Sequence, residues 1–191
     1  MSIQFTGEWE RWARLMDPAK FEARLKREIR RATQANGLEV VAAMRKGIQS
    51  GDYEPNAFLT LAAKAPRSKP LVHHGDLFGA IAQVMIDDFS VFVGVKRGAK
   101  TDDGEDVVNI AAALHEGFEL EVTPEMRAAV FAKIRENPKS KSVRPDQDRP
   151  AEAVWIIPPR PFIRAVIERS DIQRKIMDNW TAATVRALFG A

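Results

Sequence analysis

The 191-residue sequence contains no cysteine. That absence excludes disulfides, thiolate nucleophiles and every zinc site built on a Cys ligand. Histidine is scarce too, with only His73, His74 and His115. Adjacent histidines in an extended segment point to opposite faces, so His73 and His74 do not share a metal. His115-Glu116 lacks the second histidine of an HExxH helix. Phosphate-cradling GxxxxGK[ST] and GxGxxG stretches are missing, as is the GxSxG of a nucleophile elbow. The acid pairs Asp87/Asp88 and Asp102/Asp103 fall in predicted turns, where Asp serves backbone geometry. Neither they nor Glu119/Glu121 sit in apolar surroundings of the kind that raise a catalytic pKa. The expectation is a protein that is not an enzyme and carries no metal or cofactor. Nothing approaches the ~20 consecutive apolar residues of a membrane span, and the first residues lack the apolar centre of a signal peptide. A soluble protein made in a cytoplasm, with no membrane partner, is therefore expected.

What is present is ordinary globular material: 45% hydrophobic and 29% charged residues, with a formal net charge of +3. Such a balance permits contact with nucleic acid without requiring it. No repeat and no boundary divides the chain, so the expectation is one α+β domain over 1–191. It has a helical arm over about 1–50 and a C-terminal helix over about 171–189. Between them a small antiparallel sheet is predicted from a hairpin near 82–95 and a strand near 153–157, packed with flanking helices.

Trp9 and Trp12 share a face near the start. Asp17-Pro18 reads as a cap followed by proline at the first helical position. Phe21, Leu25, Ile29 and Ala32 then form an apolar stripe. Beside it Lys20, Arg24, Arg27 and Arg31 form a cationic one, a candidate contact for DNA or an acidic partner. At Asn36-Gly37 either the helix breaks or one long helix changes partners, because Val40, Val41, Met44 and Ile48 continue on a rotated face. Val84 and Ile86 alternate, Asp87-Asp88 supplies turn chemistry, and Val91, Val93 and Val95 alternate on the return, which is a hairpin pattern. The charged, glycine-bearing stretch 96–107 reads as an exposed loop, and 137–152 as a long loop of almost no apolar content. A short helix over Asn109–Glu116 ends at Gly117, and Thr123-Pro124 starts another. Ser170-Asp171 caps the last helix, whose predicted stripe is Ile172, Ile176, Trp180 and Ala183 or Ala187.

The chain is organised around AVWIIPPRPFIR at 153–164. Val154–Ile157 suits a buried strand. Pro158 and Pro159 then end any ladder, and Arg160 is biased to extended geometry by Pro161. Pro161 opens a helix, with Phe162 set immediately after the corner as a core residue.

Four stretches in order carry a resemblance: NAFLTLAAKAPRSKPLVHHGDLFGAI at 56–81, SVFVGV at 90–95, AALHEGFELEVTPEMRAAVFAKI at 112–134 and VWIIPPRPFIRAVI at 154–167. Together they resemble the phage virion morphogenesis family of tail-completion (neck) proteins of Mu-like and related tailed phages. The matched positions are Pro70, Leu71, Gly75, Leu77, Gly94, His115, Glu116, Gly117, Pro158, Arg160, Pro161 and Phe162. The chain departs from the pattern at His74, where Thr is common, and at Ala80, where Ser is common. The resemblance implies a non-enzymatic structural protein of the virion neck, assembled in the host cytoplasm. It implies a homo-oligomeric ring, commonly a hexamer, that caps the tail tube. Its partners would be the head connector or adaptor proteins, the tail tube or tail terminator proteins, and DNA passing through the lumen. The matched residues read as fold determinants. Ring closure needs two different patches meeting head to tail, and the candidates are Trp9 and Trp12 at one end and Ile172, Ile176 and Trp180 at the other. A small sequence-independent double-stranded DNA-binding protein, using the cationic stripe, is the alternative.

Overall fold

A computed structural model describes residues 7, 17–50, 53, 71, 75–126, 128–129, 132 and 154–189. Its elements are α1 (Pro18–Ser50), α2 (Asp76–Ala80), β1 (Ile81–Met85), β2 (Val91–Val95), α3 (Val107–Glu116), β3 (Phe118–Glu121), β4 (Val154–Ile157), α4 (Arg164–Ile167) and α5 (Ser170–Phe189). The fold is mixed α+β, with a long N-terminal helix and two antiparallel two-stranded sheets, β1–β2 and β3–β4. The sequence pattern predicts one sheet containing the hairpin and the 153–157 strand. Instead β4 pairs with β3, a strand that the sequence reading does not anticipate, in the register Phe118↔Ile157 to Glu121↔Val154.

The residues form two compact units interleaved along the chain. One gathers 1–43, 82–94 and 166–191, and the other 44–81 and 95–165. Because each takes non-contiguous segments, no composition shift in the sequence marks a boundary.

In the first unit α1 is a spine. Asp17 caps it by accepting a hydrogen bond from the Lys20 backbone N–H at 3.3 Å, and the helix runs 33 residues without a break. Gly37 costs helix propensity yet stays because the hairpin lies against it: a Cβ there would meet the Gln83 side chain and stand 2.8 Å from Val91 Cγ2. Lys26 and Arg30 reach Asp88 at the hairpin turn, at 3.3 and 3.4 Å. On a different side of α1 lies α5, running antiparallel. Arg186 pairs with Glu28, Asn179 donates to Asn36 Oδ1 at 2.7 Å, and Lys175 pairs with Glu39. Ala32, Val40, Val41, Ile172, Ala183 and Ala187 are the buried apolar residues between and around these polar ties. The order of layers is hairpin, α1, α5.

In the second unit the end of α1 contributes fully buried Met44 and Ile48. Arg45 donates to the Ile81 carbonyl at 2.9 Å and sets its guanidinium 5.3 Å from the Phe78 ring centroid, a cation–π contact. Asp106 caps α3 by accepting from the Val108 N–H at 2.9 Å. Leu77, Ile81, Val107, Ala111, Val122 and Phe162 complete this core.

Candidate functional site

The corner after β4 joins two of the stretches singled out by sequence. Gly117 ends α3 at φ 72°, a conformation that favours glycine, and an added Cβ would stand 2.7 Å from Pro159 N and 2.8 Å from the Ile157 carbonyl oxygen. The chain therefore turns directly from α3 into β3, which lies beside β4. Beyond β4 the Arg160 N–H donates to the Leu114 carbonyl at 2.9 Å, so the corner is stitched back to the last turn of α3. Pro161 accepts the first helical bond, from the Ala165 N–H at 2.8 Å. Phe162 is fully enclosed, and its ring meets the His115 imidazole edge-on, with centroids 5.8 Å apart. His115 Nδ1 lies 3.1 Å from Glu116 Oε1. Arg160 is 97% enclosed as well. Thus His115, Gly117, Pro159, Arg160 and Phe162 gather into one structural knot, with Pro158 and Pro161 beside them in the chain, whose chemistry is packing and backbone geometry.

The other motif residues lie apart from that knot. Leu77 is a core residue, and Gly75 precedes α2 at φ 90°. Gly94 is covered by the Phe92 ring. The expected burial of the 154–157 strand is corrected by the structure. Val154 and Ile156 are exposed and share one face of β3–β4 with Glu119 and Glu121, as an antiparallel pair allows when that face is left to solvent.

The cationic stripe is partly neutralised. Lys20 pairs with Asp17 at 3.4 Å, and Arg24 is half-buried. Arg27 and Arg31 both turn to Glu28 Oε1, at 3.4 and 3.0 Å, while Arg186 from α5 takes Oε2 at 3.2 Å. Glu28 is 94% enclosed. The Arg186 guanidinium, ahead of Arg27 and Arg31, holds its carboxyl below the ordinary carboxylate range against the upward push of burial. Glu28 is not among the residues that the sequence reading selects. Its role as the point where three arginines converge depends on Arg186, 158 positions away.

Of the candidate interface residues, Ile172 is closed inside the first unit and is taken by intramolecular packing. Ile176 is half-buried, and its carbonyl accepts from Asn36 Nδ2 at 3.4 Å. Trp180 lies at the edge of the predicted stripe, beside buried Ala187, and is 36% exposed. Trp9 and Trp12 lie outside the described residues. Two groups of apolar residues are exposed, of which the sequence reading selects only Trp180 for an interface. One is on the hairpin (Val84, Ile86, Phe89, Phe92) and the other on α5 (Met177, Trp180, Val185, Leu188, Phe189). The signal was present in VFVGV, which is apolar at every position and so has a second apolar face whichever side is covered.

Among the described residues no group of three or more His, Asp or Glu side chains is arranged to hold a metal ion. Among them, too, no helix is long and apolar enough to cross a membrane. No protein-family model, no curated protein sequence and no solved structure matches this chain.

Proposed function

We propose that this chain is a structural protein of a tailed-phage neck, a tail-completion or head–tail joining subunit. In this reading it forms a ring that caps the tail tube and docks to the head connector. The observation that carries it is the knot at the corner. The HEG and IPPRPF stretches of the resemblance are distant in sequence, yet they supply the two halves of one packed unit, Gly117 against Pro159 and His115 against Phe162. Exposed apolar faces on the hairpin and on α5 support the same reading, since a ring subunit works through surfaces that it presents to neighbours. Electron microscopy of virions lacking the gene tests it. The expected result is filled heads and finished tails that do not join, and normal infectious particles overturn the proposal.

A second reading, sequence-independent contact with double-stranded DNA, draws on Arg27, Arg31 and Arg186. Three guanidinium groups share one carboxylate, so positive charge remains in excess at an exposed surface.

A further inference from the structure

Among the described residues the β1–β2 hairpin has no third strand, so each of its strands keeps an open edge. The bonds Ile86 N–H to Ser90 O and Lys96 N–H to Ala80 O assign the even-numbered residues to the ladder inside the hairpin. The odd-numbered residues therefore turn their N–H and C=O groups outward. On β1 that edge is partly taken, because Arg45 donates to the Ile81 carbonyl at 2.9 Å. On β2 the outward groups belong to Val91, Val93 and Val95, and among the described residues none of them is bonded. Free edges are ordinarily blunted by charged residues or proline, and VFVGV has neither.

A strand that adds to this edge must bring outward groups in the same alternation, and a second β2 does so. Set antiparallel about a two-fold axis at Val93, all five residues of the strand find a partner: Val91 opposite Val95, Val93 opposite itself, and Phe92 opposite Gly94. The valine pairs exchange hydrogen bonds, and the Phe–Gly pairs fall between them, where opposing side chains come closest. Phe92 already lies over Gly94 of its own strand, with Cζ 2.7 Å from where a Cβ would stand. Across the axis glycine again leaves room for the ring, so no two bulky residues meet and no gap is left. Charge agrees at both ends. Lys96 and Arg97 directly follow β2 and make no ion pair among the described residues. Antiparallel pairing brings them beside the Asp87–Ser90 turn of the other copy. There Asp87 accepts from the Phe89 N–H at 2.7 Å and meets no cation among the described residues.

We infer that two copies of this chain join edge to edge through β2, antiparallel about Val93, in one four-stranded sheet ordered β1–β2–β2–β1. A lone two-stranded hairpin is marginal, and further strands are what make a sheet stable. The helices permit the approach. α1 runs lengthwise over its hairpin, from the turn, where Lys26 and Arg30 meet Asp88, to the middle, where Gly37 meets Gln83 and Val91. Two strand spacings separate the centres of the two hairpins by about 10 Å, which is the distance at which helices pack side by side. The contact is isologous and closes on itself. It goes beyond the ring reading and does not rest on it, since a ring is built from two unlike patches.

Val93→Pro removes the central N–H, which the hairpin ladder does not use, and an edge position tolerates proline. Far-UV circular dichroism checks that the fold is kept. Light scattering should then show the variant at half the mass of the wild-type particle. The chain has no cysteine, so one introduced thiol reports proximity by itself. In Val93→Cys the two Cα atoms stand about 5.5 Å apart, inside the range of about 4.4–6.8 Å that a disulfide spans. Oxidation should convert that variant to a covalent dimer on a denaturing gel. Ile86→Cys is the control: its side chain is 70% exposed, yet it lies on the far strand, three strand spacings or about 14 Å from its copy, and should stay monomeric. An unchanged mass for Val93→Pro overturns the edge contact, as does crosslinking through Ile86→Cys that equals or exceeds that through Val93→Cys. A wild-type chain that is monomeric at every concentration overturns it too. Each of these outcomes leaves the neck reading standing, and virions that join normally without the gene overturn that reading alone.

Discussion

Phe162 shows how much one side chain fixes at the residue scale. It is fully enclosed, stacked edge-on by His115, and carried on a corner that three prolines and the Arg160–Leu114 bond keep in place. A rigid surround cannot collapse into the space left by truncation, so Phe162→Ala should cost about 3–5 kcal/mol in chemical denaturation. A loss under about 1 kcal/mol would contradict the enclosure. Much of this was legible in the sequence, because proline geometry and a bulky residue after a corner are local facts. The edge contact with His115 was not. It depends on α3 returning to the corner through β3, and nothing in FELE by itself announces a strand.

At the scale of elements, the tie between α1 and α5 is electrostatic as well as apolar. Glu28 has a depressed pKa in the fold, so its contribution to stability is complete above the unfolded carboxylate range and is lost as pH falls through the folded value. Melting temperature should therefore fall on acidification below the ordinary glutamate range. That fall should be smaller in Glu28→Gln, which starts from a lower plateau at neutral pH. An unchanged acid profile in the variant would remove Glu28 from the account. The sequence pattern identifies both helices and the cap at Asp17, since capping and apolar period are local. It places Ile172 and Trp180 on one stripe, and the structure encloses Ile172 while leaving Trp180 partly exposed at the stripe's edge. Ala183 and Ala187 let the α5 backbone come close, and the buried face follows these small residues rather than the tryptophan.

For the whole molecule, net charge is a weak guide to partners. The excess is +3, yet Lys26, Arg30, Lys175 and Arg169 are committed to Asp88, Glu39 and Asp171. Among the described residues, Arg27, Arg31 and Arg186 form one cluster of positive charge, around Glu28. If these contact the DNA backbone, the logarithm of affinity should fall with the logarithm of salt concentration at a slope of about −3. Arg27→Glu with Arg31→Glu should then flatten that slope by at least about 2, in a titration of the full chain with duplex of any sequence. A slope unaffected by the double change would exclude this surface.

The sequence alone determined whatever is settled within a few residues. That covers where α1 starts, that the chain turns at Gly117 and at Pro158–Pro161, that the hairpin reverses at Asp87-Asp88, and that the class is α+β. Tertiary structure decided which of two apolar faces is covered, which strand β4 takes as partner, and which carboxylate gathers the arginines. Apolar periodicity says only that a side chain prefers to leave water. Whether anything arrives to cover it depends on segments far away in the chain, as Arg186 reaching Glu28 and Gly37 admitting the hairpin both show.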